Sequence, residues 1–144
     1  MADILKKENI LLNQPPADRE TVIKKAGRLL VDSGYAEEEY IEGMLKRDAN
    51  FSTGIGNFIA IPHGEESAKK HILKTGMVVL TYPEGIDWHG KTVYLVIGIA
   101  AKGDEHLDIM GNIVDHLDTG DDTIKLVKTA TVDEIHKALA GGES

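Results

Sequence analysis

Past Ala49 the hydrophobic pattern of this chain changes period, and that change limits its possible folds more than any other feature. Before it, two stretches carry apolar residues at helical spacing. Over residues 18–32, Val22, Ile23, Ala26, Leu29 and Leu30 share one face, while Arg19, Lys24, Lys25 and Arg28 face water. Pro15 and Pro16 precede this helix, Asp18 is placed to cap it and Gly34 to end it. Over residues 37–49, Tyr40, Ile41, Met44 and Leu45 form a second stripe. Three glutamates start that helix and Lys46-Arg47 ends it, each matching the sign of the helix dipole. After the change, 58–61 reads as a short strand stopped by Pro62. Segments 75–82 and 92–101 are β-branched and apolar, with a turn-rich loop at 83–91 between them.

Helical spacing returns over 104–117, with Leu107, Met110, Ile113, Val114 and Leu117 on one stripe. Two shorter helices follow at 121–129 and 132–140, and Thr131 with Glu134 makes a capping box for the last. Residues 10–12 add a strand near the start. This order predicts an α/β layered domain with a mixed β-sheet flanked by helices. A helical bundle fits less well, because three segments have strand periodicity. The 144 residues suffice for one domain, 1–144, with a core that is mainly aliphatic because aromatics are few.

Charge and composition exclude several functions. A net charge of -8 opposes association with phosphate backbones, so nucleic acid is not an expected partner. The start of the chain has no apolar signal region, and no apolar run approaches the roughly 20 residues that span a bilayer. The expectation is a cytoplasmic protein with no direct membrane insertion. The chain has no cysteine, which removes disulfides, thiolate metal sites and cysteine nucleophiles. No Gly-x-Ser-x-Gly elbow and no Walker A loop are present, and Gly54-Ile55-Gly56 lacks the remainder of a dinucleotide motif. No cofactor and no metal are expected, since no ligand spacing is recognisable. His106 and His116, on one helix, stand about 15 Å apart by the helical rise.

Six histidines remain. His63 stands out by its setting: Ile59-Ala60-Ile61 anchors it, Pro62 stops the strand, and Gly64 leaves space around the ring. Such a turn lifts a ring nitrogen to the surface, and a neutral imidazole is both nucleophile and leaving group for a phosphoryl group. Local chemistry alone favours a turn histidine without a role. His71, His89, His116 and His136 read as structural or solvated. Ile55, Phe58 and Ile109 are either core or part of an apolar docking surface.

The longer run from Asp48 through Ile55-Gly56 to Phe58-Ile59-Ala60-Ile61-Pro62-His63-Gly64 resembles a known signature. It is that of the type 2, mannitol/fructose-class, IIA components of the bacterial phosphoenolpyruvate-dependent sugar phosphotransferase system. Tyr82-Pro83-Glu84-Gly85 and Glu105-His106-Leu107 look like the mannitol-specific branch. The resemblance implies a phosphotransferase component of sugar transport. His63 would accept the phosphoryl group from phospho-HPr on its Nε2 and pass it to a cysteine of a separate mannitol IIB or IICB component. It further implies that Arg47 stabilises the phosphoryl oxygens and that His106 steadies the phosphorylated ring. Read alone, Arg47 is better explained as a helix C-terminal cation, and His106 is equally a helix-start histidine in the first turn that Asp104 caps. A fructose-type or nitrogen-regulatory IIA would use the same chemistry, and a regulatory domain of this fold would use none.

Overall fold

In a computed structural model describing residues 4–139, the apolar segments between the helices assemble into one sheet, with helices on both of its faces. The strands are β1 (Leu5–Leu11), β2 (Gly54–Gly56), β3 (Ile59–Ala60), β4 (Gly76–Trp88) and β5 (Lys91–Ala100). Their order across the sheet is β1-β4-β5-β3-β2. β1 runs parallel to β4 and β3 parallel to β5, while β4–β5 and β2–β3 are antiparallel. The mixed α/β sheet is the expected one.

The central strands are apolar at nearly every position because both of their faces are covered. Along β4, Val78 and Leu80 point to one layer, and Met77 and Val79 to the other. The first layer contains α1 (Arg19–Asp32), α2 (Glu39–Asn50) and a 3₁₀ helix at Glu66–His71. It buries Val22, Ile23, Ala26, Leu30 and Met44. The second contains α3 (Glu105–His116), α4 (Gly120–Thr129) and α5 (Val132–Leu139), which bury Ile113, Leu117, Val127 and Ile135. Asp18 caps α1 by accepting from the Thr21 N–H at 2.8 Å, and Gly34 follows the helix at φ 84°.

Three expectations need correction. The segment 83–91 is not a loop: β4 continues to Trp88, and a register shift between Thr81 and Ile86 absorbs Pro83 and Gly85 as a bulge. The turn is only His89-Gly90, both at positive φ, between paired Trp88 and Lys91. The buried stripe of α3 is Ile109, Ile113 and Leu117; Leu107 is 60% exposed and Val114 49%. β2 had no counterpart in the sequence reading, since Gly54-Ile55-Gly56 is exposed throughout and shows no apolar alternation.

Candidate active site

Although β3 is two residues long, the chain stays in line beside β5 beyond it. Ile59 pairs with Leu95, Ala60 with Val96, and His63 with Ile99, whose N–H donates to the Pro62 carbonyl at 3.0 Å. His63 thus stands just past the carboxyl end of a parallel strand pair, where α/β sheets hold their ligand sites. Its ring is half-buried, and Nδ1 lies 2.8 Å from the Ile61 carbonyl oxygen. A carbonyl only accepts, so Nδ1 carries the proton, and in the neutral ring the lone pair is on Nε2.

Gly64 has a different reason from the one its sequence setting gave. Its N–H donates to the Tyr40 hydroxyl at 2.8 Å, and that hydroxyl donates to the Ile99 carbonyl at 2.9 Å. A Cβ on Gly64 would sit well inside 3.0 Å of the Tyr40 ring. The glycine therefore makes room for a phenol, and its N–H is already taken rather than open to a phosphoryl group. Burial pushes the Tyr40 phenol up to about 12, against the smaller opposing effect of the Gly64 N–H, so it keeps its proton and both bonds.

Tyr40 and Arg47 sit two turns apart on α2, hence on one face of it. With His63, Glu65 and Lys69 they line a cleft of about 270 Å³. Arg47 donates from Nη1 to the Phe51 carbonyl at 2.6 Å, which bends the guanidinium back over the end of its own helix. Lys69, on the 3₁₀ helix, donates to the Gly103 carbonyl at 2.9 Å and lies 3.7 Å from a Glu66 carboxylate oxygen. Two cations therefore face the cleft that holds His63, and no sequence signal had marked Lys69. His106 falls in the first turn of α3, but its side chain lies outside the described residues. Asp104 occupies the cap position of α3 without making a side-chain capping bond, contrary to expectation.

Next to Arg47, Asp48 is 1% exposed and has four residues from three other segments around it. Its Oδ1 accepts from the Thr53 N–H at 2.9 Å, the Thr53 hydroxyl at 2.5 Å and Trp88 Nε1 at 3.0 Å. Its Oδ2 accepts from His89 Nε2 at 2.8 Å and has Arg19 Nε at the same distance. Burial alone would raise this carboxyl; the bonds from Thr53 and His89 outweigh it and hold the group below the ordinary carboxylate value.

His71, His89 and His116 have partners away from the cleft-lining set. His71 Nδ1 is 2.9 Å from Glu37, and His116 Nδ1 donates to the Asn112 carbonyl at 3.0 Å. Glu37, Glu39 and His71 bring ligand-type atoms within 4.8 Å of one another, a juxtaposition that chain spacing does not reveal. Of the three docking candidates, Ile109 is core, Phe58 packs edge-on against Tyr94 and Ile55 is exposed. Phe51, at the end of α2, is more exposed still, at 76%.

Comparison with known proteins agrees with this arrangement. Residues 3–141 match the family model described as phosphoenolpyruvate-dependent sugar phosphotransferase system, EIIA 2. The chain is 50% identical over 111 residues to the mannitol-specific phosphotransferase enzyme IIA component of Bacillus subtilis (strain 168), covering 76% of this chain and 78% of that one. It is 43% identical over 137 residues to the protein of the same name from Geobacillus stearothermophilus, covering 94% of each. In structure it superimposes with a TM-score of 0.87 and 39% identity on a chain of the Escherichia coli complex of enzyme IIA-mannitol with phosphorylated enzyme IIB-mannitol. That match covers 95% of this chain and 99% of the other. The chain belongs to the EIIA 2 family of the phosphoenolpyruvate-dependent sugar phosphotransferase system, and is a phosphotransferase component of it.

Proposed function

We propose that this chain carries phosphoryl groups for mannitol uptake, accepting them on Nε2 of His63 from phospho-HPr and passing them to a cysteine of a mannitol IIB component. The observation that carries the reading is the ring clamp: Nδ1–H is held by the Ile61 carbonyl, which directs the Nε2 lone pair to be the nucleophile. In the first transfer the P–N bond of the donor phosphohistidine breaks as a P–N bond to His63 forms. The donor imidazole leaves with the electron pair. His63 keeps its Nδ1 proton, so the phosphorylated ring is cationic and the Ile61 carbonyl bears on that N–H. In the second transfer a thiolate attacks phosphorus, and the P–N electron pair returns to Nε2, restoring the neutral ring.

Arg47 neutralises the equatorial phosphoryl oxygens, with Lys69 adding a second charge at the same cleft. His106 steadies the phosphorylated ring from the start of α3, as the family resemblance implies. The names of the relatives and the phosphorylated IIB in the matched complex support the mannitol partner. We read the chain as a cytoplasmic carrier made of one domain, 1–144, since one family model matches residues 3–141; no helix among the described residues is long and apolar enough to cross a membrane.

Incubation with phosphoenolpyruvate, enzyme I and HPr, followed by mass spectrometry, tests the reading. One phosphoryl group on His63 is expected, and a stable label that survives His63→Ala overturns it. Offering mannitol and fructose IIB separately tests the sugar branch, since transfer only to the fructose partner replaces the mannitol assignment.

A further inference from the structure

Arg47 and His63 reach the cleft from different elements, α2 and the end of β3, yet both trace back to one buried carboxylate. From Asp48 Oδ1 the connection runs to the Thr53 N–H and hydroxyl, at 2.9 and 2.5 Å. The Thr53 carbonyl then accepts the Ile61 N–H at 2.9 Å. The Ile61 carbonyl accepts His63 Nδ1–H at 2.8 Å. Thr53 and Ile61 are both buried, so no water competes at either intermediate link. On the other side, Asp48 is the residue after Arg47, in the last turn of α2, and ties that turn to α1 through Arg19 and to the hairpin tip through Trp88 and His89.

We propose that Asp48 is the positioning residue of the phosphoryl-transfer site, fixing the ring tautomer of His63 through Thr53 and Ile61 while it holds the helix turn that presents Arg47. The proposal rests on the reading of His63 as acceptor and Arg47 as oxyanion partner. A buried carboxylate is a poor choice for stability alone, because packed apolar side chains do as well once both partners are replaced. Its use here is directional. A peptide carbonyl that rotated away from Nδ1 would let the proton move to Nε2, and an Nε2–H nitrogen has no lone pair in the ring plane with which to attack phosphorus. Holding the Ile61 peptide by its N–H prevents that rotation. The relay thus begins at Asp48, touches neither phosphorus nor the ring, and acts through two backbone groups.

The test uses the full chain and ring ¹⁵N shifts of His63, which report its tautomer without any phosphoryl transfer. Wild type is expected in the Nδ1–H form. Asp48→Ala is expected to mix in the Nε2–H form, to speed hydrogen exchange at the Ile61 amide ahead of amides in α5, and to slow phosphoryl uptake about 10–100-fold at saturating phospho-HPr. The KM for phospho-HPr stays close to wild type. Asp48→Asn keeps an acceptor for Thr53 and is expected to rescue the tautomer. Thr53→Val removes one of the two donors while keeping the shape, and gives a smaller shift in the same direction. An unchanged tautomer and rate in Asp48→Ala overturns the proposal; should that variant not fold, an unchanged tautomer in Thr53→Val does the same. If wild-type His63 takes no label from phospho-HPr, the functional reading fails, while the tautomer and exchange data still decide the relay.

Discussion

At Gly64 one added methyl group would have to enter the space of the buried Tyr40 ring, which is itself bonded on both sides of the site. Gly64→Ala should therefore destabilise the fold by about 1–3 kcal/mol, the usual range for overpacking, seen as a lower urea midpoint. Tyr40→Phe keeps the ring but leaves the buried Gly64 N–H without its acceptor, at a cost of about 1–3 kcal/mol. Arg47 behaves differently, since its own bond is to an exposed helix end. Arg47→Ala should slow transfer by roughly 10²–10³ while leaving the urea midpoint nearly unchanged, as expected when one oxyanion donor is lost. The same rate assay on His106→Ala is expected to show slower transfer with the fold intact. Wild-type rates in both variants would remove both proposed roles.

Elements differed in how legible they were, and the differences have physical causes. α1 could be read from sequence because its apolar stripe, Asp18 cap and terminal Gly34 agree with one another. On α3 the expected stripe mixes Leu107 and Val114 with Met110, Ile113 and Leu117, and Ile109 fits helical spacing as well. Only packing against the sheet shows that Ile109, Ile113 and Leu117 are buried and Met110 partly so, while Leu107 and Val114 face water. β4 was cut short because Pro83 and Gly85 break strands in most settings, whereas here a bulge takes them up without ending the ladder. His63 was legible from a contiguous signature, but Lys69 and the Asp48–Thr53–Ile61 connection were not, because they exist only across elements. The capping box of α4 was also overlooked: Thr119 Oγ1 accepts from the Asp122 N–H at 3.2 Å, and Asp122 accepts from the Thr119 N–H at 3.1 Å. Its acid is a shorter one than the usual Glu or Gln. Thr119→Ala should lower stability by about 1 kcal/mol, measurable as a drop in Tm with no change in transfer rate.

Over the whole molecule, acid should be the condition that loosens the fold. Asp48 is pulled low by Thr53 and His89 despite its burial, Asp18 by the Thr21 bonds, and Glu38 by Arg28. A carboxyl whose folded value lies below its unfolded one binds fewer protons in the native state, so its stabilisation is complete above the unfolded value of about 4. It is lost as pH falls through the lower folded value. The contribution of these carboxyls should be flat between neutrality and about pH 5 and should fall below about pH 4. Asp18 and Glu38 face solvent and contribute little, so Asp48→Asn should flatten most of that acid limb in urea titrations. A limb unchanged by that substitution would assign acid sensitivity elsewhere. The two margins of the sheet have a separate consequence. β2 is only three residues long and its Gly54 N–H is taken by Ser52 Oγ, and β1 carries Lys6, Lys7 and Glu8 between its register-shifted contacts at Leu5 and Ile10. Neither margin gives a neighbouring copy a straight, uncharged row of donors and acceptors to extend. Crowded molecules are thus denied the templating that starts fibrils, and concentrated solutions should stay clear of cross-β growth even though the strands between those margins are apolar almost without interruption.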